Sequence, residues 1–142
     1  MSESSITDEF RQVKVSKVGF SDPTGSKGVV ILESYDGKSF PMGSFSGEVA
    51  EYIGRFISGD RTSVPSIYKL ISEFADRVNL FLRSVEVFEK KGVMRANIHF
   101  VRKEGDLSFE NYRASDGIAL ATFYDVPIMV QTKLLQRLSD QE

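Results

Sequence analysis

The stretch that decides the fold runs from Arg113 to Val130 and reads Arg-Ala-Ser-Asp-Gly-Ile-Ala-Leu-Ala-Thr-Phe-Tyr-Asp-Val-Pro-Ile-Met-Val. Its middle part, Ser115 to Tyr124, is rich in small and apolar residues and predicts a helix that packs closely on a sheet. Val126 to Val130 then predicts a short buried strand. A buried helix followed directly by a buried strand is typical of the centre of a mixed domain.

Polar residues stand at the start of this helix. Ser115 is predicted to cap it by accepting hydrogen bonds from the free N–H groups of the first turn. The helix dipole favours Asp116 in that turn, and Arg113 can pair with Asp116 across the corner. The same side chains suit chemistry, because a guanidinium binds phosphate bidentately and a carboxylate can hold a divalent metal. The corner is therefore predicted to be a structural cap, a phosphate site, or both.

Three strands are predicted upstream, at Val13–Phe20, Val29–Leu32 and Lys38–Met42. Asp36 and the glycine that follows it supply a hairpin turn between the second and third strands. Pro41 marks an edge or a strand end, because proline cannot donate to a sheet ladder.

Two helices are predicted next. The first starts after a cap at Ser44 or Ser46, and the second starts at Pro65, which the first helical turn tolerates. Apolar residues recur at helical spacing in the second helix and predict an apolar stripe. The members of that stripe are Ile67, Leu70, Ile71 and Phe74.

A meander of three strands is predicted at Val78–Phe88, Val93–Val101 and Leu107–Arg113, and a terminal helix at Lys133–Leu138. The element order is therefore βββ-αα-βββ-α-β-α. Hairpins combined with clustered helices predict an α+β fold, with a largely antiparallel mixed sheet and helices packed on it.

Length and composition narrow the class of protein. A chain of 142 residues predicts one domain, with 1–12 as a flexible N-terminal tail and 13–142 as the single domain. The absence of Cys excludes disulfides, a thiol nucleophile and Cys-based zinc sites. The formal net charge of −2 gives no global basic signal of the kind that a nucleic-acid-binding domain often shows. Without a signal peptide or a membrane-length apolar run, the chain is expected in the cytoplasm, with no membrane partner.

The predicted strand Val93–Val101 carries a polar face. Side chains alternate along a strand, so Arg95, Asn97 and His99 point the same way. His99 is the only histidine, and with no Cys it cannot build a His-rich metal site. It is interpreted either as a general base or as a partly exposed sheet histidine.

The stretch Arg113-Ala-Ser-Asp-Gly-Ile-Ala-Leu-Ala121, followed by Val126-Pro-Ile-Met-Val130, resembles the signature of the bifunctional nuclease family. Members of that family carry a similar Arg-Pro-Ser-Asp-Ala-Ile-Ala-Leu-Ala helix start before a Val-Pro-Ile strand. The resemblance covers roughly Val13 to Leu135. It extends to the family's opening hairpin and Glu-Ala helix, which are similar to Val30-Ile-Leu-Glu33, Asp36-Gly37, Phe40-Pro-Met42 and Glu48.

The resemblance implies a nuclease that acts on DNA or RNA phosphodiesters, with Mg²⁺ or Mn²⁺ as the expected cofactor. Arg113 would contact phosphate, and Asp116 and Glu48 would bind metal or position water. Arg95, His99 and Arg113 are the candidates for nucleic-acid binding.

This chain departs from the family pattern at several positions. Ala114 replaces the proline after the arginine, and Asn111 replaces an aspartate two residues before it. The second helix of the family typically opens with Arg-Pro-x-Thr-His-Asp-Leu. Tyr68 and Lys69 stand here in place of its His-Asp pair.

These departures keep a second hypothesis open: a non-catalytic protein of the same fold that forms homo-oligomers, dimers or trimers, or binds a partner. Strand aromatics exceed what a single core is expected to bury, and exposed apolar patches usually mark interfaces. Those aromatics are Phe81, Phe88 and Phe109.

Overall fold

A seven-stranded mixed sheet forms the frame of residues 9–135, the part of the chain that this computed structural model describes. The strand order is β3-β2-β1-β7-β4-β5-β6. Neighbouring strands are antiparallel except β4 and β7, which are parallel. The strands are β1 (Phe10–Phe20), β2 (Lys27–Ser34), β3 (Ser39–Ser46), β4 (Phe81–Lys90), β5 (Val93–Arg102), β6 (Gly105–Arg113) and β7 (Ile128–Gln131).

Helices pack on this sheet as predicted, so the α+β expectation is confirmed. They are α1 (Gly47–Ile57), α2 (Ile67–Arg77) and α3 (Ala114–Tyr124). α1 lies on β1 and β2, α3 lies on β4 and β5, and α2 rests on the other two helices. Residues 132–135 are helical and begin the predicted terminal helix, whose remaining residues to Leu138 lie outside the described part. Among the helices described, none is long and apolar enough to span a membrane.

The first strand begins earlier than the sequence predicts, because it pairs with a strand that is distant in the chain. β1 begins at Phe10, within the stretch 1–12 that the sequence predicts as a tail, because Phe10 pairs with Gln131 of the distant strand β7. Residues 1–8 of that predicted tail lie outside the described residues. Pro41 lies on β3, which is an edge strand as predicted.

The boundaries of α2 also differ from prediction. Ser66 caps the helix by accepting a hydrogen bond from the backbone N–H of Lys69 at 3.2 Å, so Pro65 precedes the cap and does not start the helix. α2 continues to Arg77, and Asn79 then adopts a left-handed conformation with φ 59°. β4 therefore begins later than the predicted Val78.

α3 packs very closely on the sheet. A Cβ at Gly117 would lie 2.6 Å from the Cβ of Ala96 and 3.0 Å from Cγ1 of Val85, so the helix backbone touches side chains of β5 and β4. Side chains are buried on nearly every side of α3, including Ile118 and Leu120. The helix ends at Asp125, which is left-handed. The predicted buried helix is confirmed.

α2 turns three of the four residues of its predicted apolar stripe outward, whereas Ile71 is partly buried against the core. Ile67 and Leu70 are each 58% exposed and Phe74 is 66% exposed, whereas Tyr68 is only 5% exposed. Apolar stripes of surface helices usually face the core. Here the inward position is taken by Tyr68, which packs edge-on against Tyr52 and Phe56 of α1 with ring centroids 5.7 Å apart in both pairs.

Candidate functional site

Arg113 stands where β6 ends and α3 begins. It is the last residue of β6 and occupies the N-cap position with an extended backbone (φ −64°, ψ 136°). Ser115 is already the second residue of the helix, so the prediction that it caps α3 is wrong. No side chain caps α3, which leaves first-turn N–H groups without an intrahelical partner and places a partial positive charge at this corner.

Arg113 and Asp116 form the predicted ion pair. Nε of Arg113 donates to Oδ2 of Asp116 at 2.9 Å, and Nη2 donates to Oδ1 at 3.2 Å. Both side chains are exposed, at 68% and 43%. The hydrogen bond and the negative charge of Asp116 raise the pKa of Arg113. A guanidinium has five N–H donors, so three stay available for another anion after two bind the carboxylate.

A second arginine lies directly beside this corner. Arg95 of β5 is the register partner of Arg113 of β6. Both arginines and Ser115 line one cleft of about 510 Å³, which we call the arginine cleft; residues Phe40 to Phe45 of β3 form another part of its wall. Its lining residues include no carboxylate. Within residues 9–135, Arg95 has no ion-pair partner, so its positive charge is not neutralised there.

A different cleft lies on the other side of Arg113. This apolar cleft, of about 530 Å³, runs between α2, α3 and the strands β5 and β6. Arg113 and Asp116 stand at its polar end, and Tyr68 lies in its wall. Burial and, after it, the negative charge of Asp116 raise the pKa of Tyr68 to about 12. The Tyr68 hydroxyl is therefore protonated at neutral pH and can donate a hydrogen bond.

Glu48 lies in the first turn of α1 and is exposed. Its negative charge makes the smallest contribution among those that shift the pKa of Tyr68, after burial and the charges of Asp116, Tyr52 and Arg113. Glu48 does not line the arginine cleft. The structure thus brings Arg113 and Asp116 into direct contact and leaves Glu48 outside both the ion pair and the lining of the two clefts.

Residues 30–142 match the family described as the bifunctional nuclease domain. The chain belongs to this family. The match spans the three catalytic candidates and Tyr68, and it confirms the resemblance seen in the sequence. No individual curated protein matches the chain.

The side chains of this bifunctional nuclease domain that lie within residues 9–135 do not form a resident metal centre. Within the described residues, no three His, Cys, Asp or Glu side chains come together as a metal-binding group. Both carboxylate oxygens of Asp116 already accept hydrogen bonds from Arg113. Glu48 alone would give a cation one carboxylate, so protein ligands alone do not build a site here, and any Mg²⁺ would depend on water and on the phosphate of a substrate.

His99 lies apart from the arginine cleft of this bifunctional nuclease domain. It follows Arg95 by four residues on β5, and its Nδ1 is 2.7 Å from Oγ of Ser108. Its Nε2 lies 3.0 Å from Oε1 of Glu86, yet this buried nitrogen has no well-directed hydrogen bond. The contact with Glu86 is therefore a close approach of the two side chains and not a well-directed hydrogen bond. His99 is thus held among strand side chains and does not line the arginine cleft.

Tyr68 is the site residue that pattern reasoning did not single out by itself. It occupies the position at which the family pattern has histidine, and this correspondence is the only feature of the sequence that points to Tyr68. Lys69, at the position of the family's aspartate, points to the surface, where its Nζ lies 2.5 Å from Oε2 of Glu73. Tyr68 and Lys69, which stand in place of the His-Asp pair, therefore lie in different environments: Tyr68 is buried and Lys69 is at the surface.

Proposed function

We propose that this bifunctional nuclease domain binds a phosphodiester of DNA or RNA in the arginine cleft and hydrolyses it. One observation carries the proposal: Arg95 and Arg113 lie opposite each other in register and line one cleft that has no carboxylate in its wall. Like charges placed directly opposite on a sheet destabilise it, so such a pair is better explained by an anion that binds between them.

The arginine cleft suits a phosphodiester in shape and charge. Asp116 holds the guanidinium of Arg113 in one orientation, which leaves its remaining N–H donors directed for bidentate contact. The uncapped start of α3 adds backbone N–H donors to the same corner. Donors arranged in this way before substrate binds stabilise the extra negative charge that develops on a phosphoryl group under attack.

The chemistry that we propose uses side chains of this chain alone. Water attacks phosphorus, an O–P bond forms, and the bond to the leaving nucleoside oxygen breaks. Asp116, which holds Arg113 at the edge of the cleft, accepts the proton of the water, and this proton passes to the leaving oxygen as its bond to phosphorus breaks. Glu48, an exposed carboxylate outside the cleft lining, is the second candidate to orient the water. Tyr68, protonated at neutral pH, lines the apolar cleft together with Asp116 and is a hydrogen-bond donor there. We derive no step through a metal, because the described residues do not fit one.

A chain without cysteine suits a reducing compartment, and we propose that it acts in the cytoplasm.

The binding step is tested with labelled single- and double-stranded DNA and RNA, by fluorescence anisotropy at several salt concentrations. Arg95→Gln and Arg113→Gln should each weaken binding by about tenfold or more, since a hydrogen bond to a charged group contributes about 1.5–3 kcal/mol. Each should also reduce the salt slope by about one. Arg83→Gln is the matched control, because Arg83 is an exposed arginine that pairs with Asp106 at 3.2 Å and does not line the cleft.

Cleavage is tested on the same labelled strands with chelator, with Mg²⁺ and with Mn²⁺. Activity should fall strongly in both Arg113→Ala and Asp116→Ala. Activity that survives both substitutions contradicts the proposed site. Dependence on either metal would contradict hydrolysis by the side chains alone, while leaving the arginine cleft as the binding site.

A second function is favoured by a different observation. The outward apolar stripe of α2 and the exposed rings of Phe81 and Phe109 suit a non-catalytic protein that assembles with itself or binds a partner. Phe88, the third predicted aromatic, is only partly exposed. A wild-type protein that neither binds nor cleaves any of the four nucleic acids would favour this second function over the first.

A further inference from the structure

A bulge interrupts the pairing of β5 with β6 shortly before β6 ends. The register shifts between Ala96 and Ile98 of β5. One residue of β5, Asn97, lies in this interval, whereas β6 has two residues there, Glu110 and Asn111. Two residues against one is the count of a β-bulge, and such bulges are frequent beside functional sites, where they redirect a side chain.

The bulge decides which residue of β6 stands opposite Arg95. If the register of Ile98 with Phe109 continued without a bulge, Arg95 would stand opposite Tyr112. With the bulge, Arg95 stands opposite Arg113. Successive side chains of a strand point to opposite faces, so a slip of one residue would turn Arg113 to the face away from Arg95. The bulge therefore brings the second arginine to the arginine cleft.

The side chain of Asn97 holds this bulge. Its Oδ1 accepts a hydrogen bond from the backbone N–H of Asn111 at 3.0 Å. In a regular ladder a backbone carbonyl of the neighbouring strand would accept such a bond, so the Asn97 amide supplies an acceptor where the ladder is interrupted. Asn111 itself is left-handed with φ 69°, a conformation that asparagine adopts more readily than most residues with a Cβ. Both residues thus fit the bulge, one by its side-chain acceptor and the other by its conformation.

We propose that Asn97 is a positioning residue of the arginine cleft. Its amide fixes the bulge at Asn111 and thereby holds Arg113 opposite Arg95. Asn97 does not line the cleft itself, so it acts through Arg113. Asp116 orients the guanidinium of Arg113, and the bulge sets the position on the strand from which that side chain starts. The effect of Asn97 on nucleic-acid binding rests on the proposed function, whereas its effect on the register does not.

The register has a direct test, because the chain contains no cysteine. Residues opposite each other on antiparallel strands have Cα atoms close enough for a disulfide. The Arg95→Cys/Arg113→Cys protein should therefore oxidise faster than the Arg95→Cys/Tyr112→Cys protein. Asn97→Ala should lower this ratio of rates about two- to tenfold, which corresponds to the net loss of one hydrogen bond. Asn97→Asp keeps the acceptor oxygen and should leave the ratio as it is. A ratio that Asn97→Ala does not change would overturn the proposal, whether or not the protein binds nucleic acid.

A matched pair of substitutions at Asn111 tests the other side of the bulge. Asn111→Gly keeps a residue that adopts a positive φ without strain, whereas Asn111→Val does not, because β-branched residues avoid that region. In the same cysteine pairs, only Asn111→Val should lower the ratio of oxidation rates. Equal ratios for the two variants would contradict a bulge fixed at this residue, and with it the role of Asn97.

The effect on binding is measured by fluorescence anisotropy with the labelled DNA and RNA strands. Asn97→Ala should weaken binding about two- to tenfold. Ser108→Ala is the control and should not weaken it, because Ser108 contacts His99 in the regular part of the same strand pair. A residue that acts through Arg113 should have no further effect once Arg113→Gln is present, whereas a general loss of stability would add to it. Full additivity in the double variant overturns the positioning role. If the wild type binds none of the nucleic acids, the proposed function fails, and the oxidation rates alone decide the role of Asn97.

Discussion

α2 and α3 have the same length of eleven residues, but they place their apolar side chains in opposite ways. α3 is buried on nearly every side and sits between the sheet and its neighbouring helices. α2 buries Tyr68 and Ala75 and exposes Ile67, Leu70 and Phe74. The difference shows that helical periodicity identifies the apolar side of a helix. It does not say whether that side packs against the rest of the same chain.

The largest effect on the free energy of unfolding is expected from substitutions that compare the buried side of α2 with its exposed side. Tyr68→Ala should lower the free energy of unfolding by about 3–5 kcal/mol, because it removes a buried ring that packs on Tyr52 and Phe56. Phe74→Ala should change it by less than about 0.5 kcal/mol when the chain is monomeric, because that ring is exposed. Urea unfolding at low protein concentration measures both. Similar losses would mean that Phe74 is covered within its own chain.

A second comparison tests the close approach of α3. Gly117→Ala should cost about 1–3 kcal/mol, because the added Cβ would lie 2.6 Å from the Cβ of Ala96 and the helix must shift. Gly54→Ala on α1 is the matched control. Its Cβ would meet Cγ1 of Val18 at an ordinary 3.6 Å, so better helix propensity should leave it neutral or more stable by up to about 1 kcal/mol. Thermal and urea unfolding that rank the two variants equally would contradict the close packing.

The fold could be predicted largely because its signals are local. Residues on nearly every side of α3 are small or apolar, so its own sequence predicts a buried helix without reference to the segments that pack on it. The predicted strands Val78–Phe88 and Val93–Val101 likewise leave only a short connection, and the structure has a tight turn there, with Lys91 and Gly92 both left-handed. These features need no knowledge of distant parts of the chain, and the sequence indicates them correctly.

The remaining features depend on contacts between distant segments. The pairing of Phe10 with β7 moved the start of β1 into the predicted tail. The register that places Arg95 beside Arg113 is set by a bulge in the β5–β6 pair, which no local pattern reveals. The inward rotation of Tyr68 depends on aromatic rings of α1. Sequence reasoning therefore found Arg113 and Asp116, which are neighbours in the chain, and missed the contribution of Tyr68.

A smaller effect on stability is expected at alkaline pH, and it reports on the buried side of α2. Burial raises the pKa of Tyr68 to about 12 in the folded state, above its ordinary value of about 10. The folded state therefore holds the proton more tightly, so this stabilisation is complete below pH 10 and is lost as the pH rises towards 12. Urea unfolding between pH 9 and 11.5 should show a steeper loss for the wild type than for Tyr68→Phe. Identical slopes would place the Tyr68 hydroxyl in water.

The smallest effect on stability is expected at the exposed end of α3. Asp116→Asn should lower the free energy of unfolding by less than about 1 kcal/mol, because the ion pair with Arg113 is solvent-exposed on both sides and such pairs contribute little. Arg83→Gln, which breaks the exposed pair with Asp106, should have a similarly small effect and serves as the control. If Asp116→Asn costs more than about 2 kcal/mol while the control does not, the pair locks the strand-to-helix corner. A small loss of stability together with a large loss of nucleic-acid binding instead assigns the pair to the site, because the orientation of Arg113 then matters to the ligand more than to the fold.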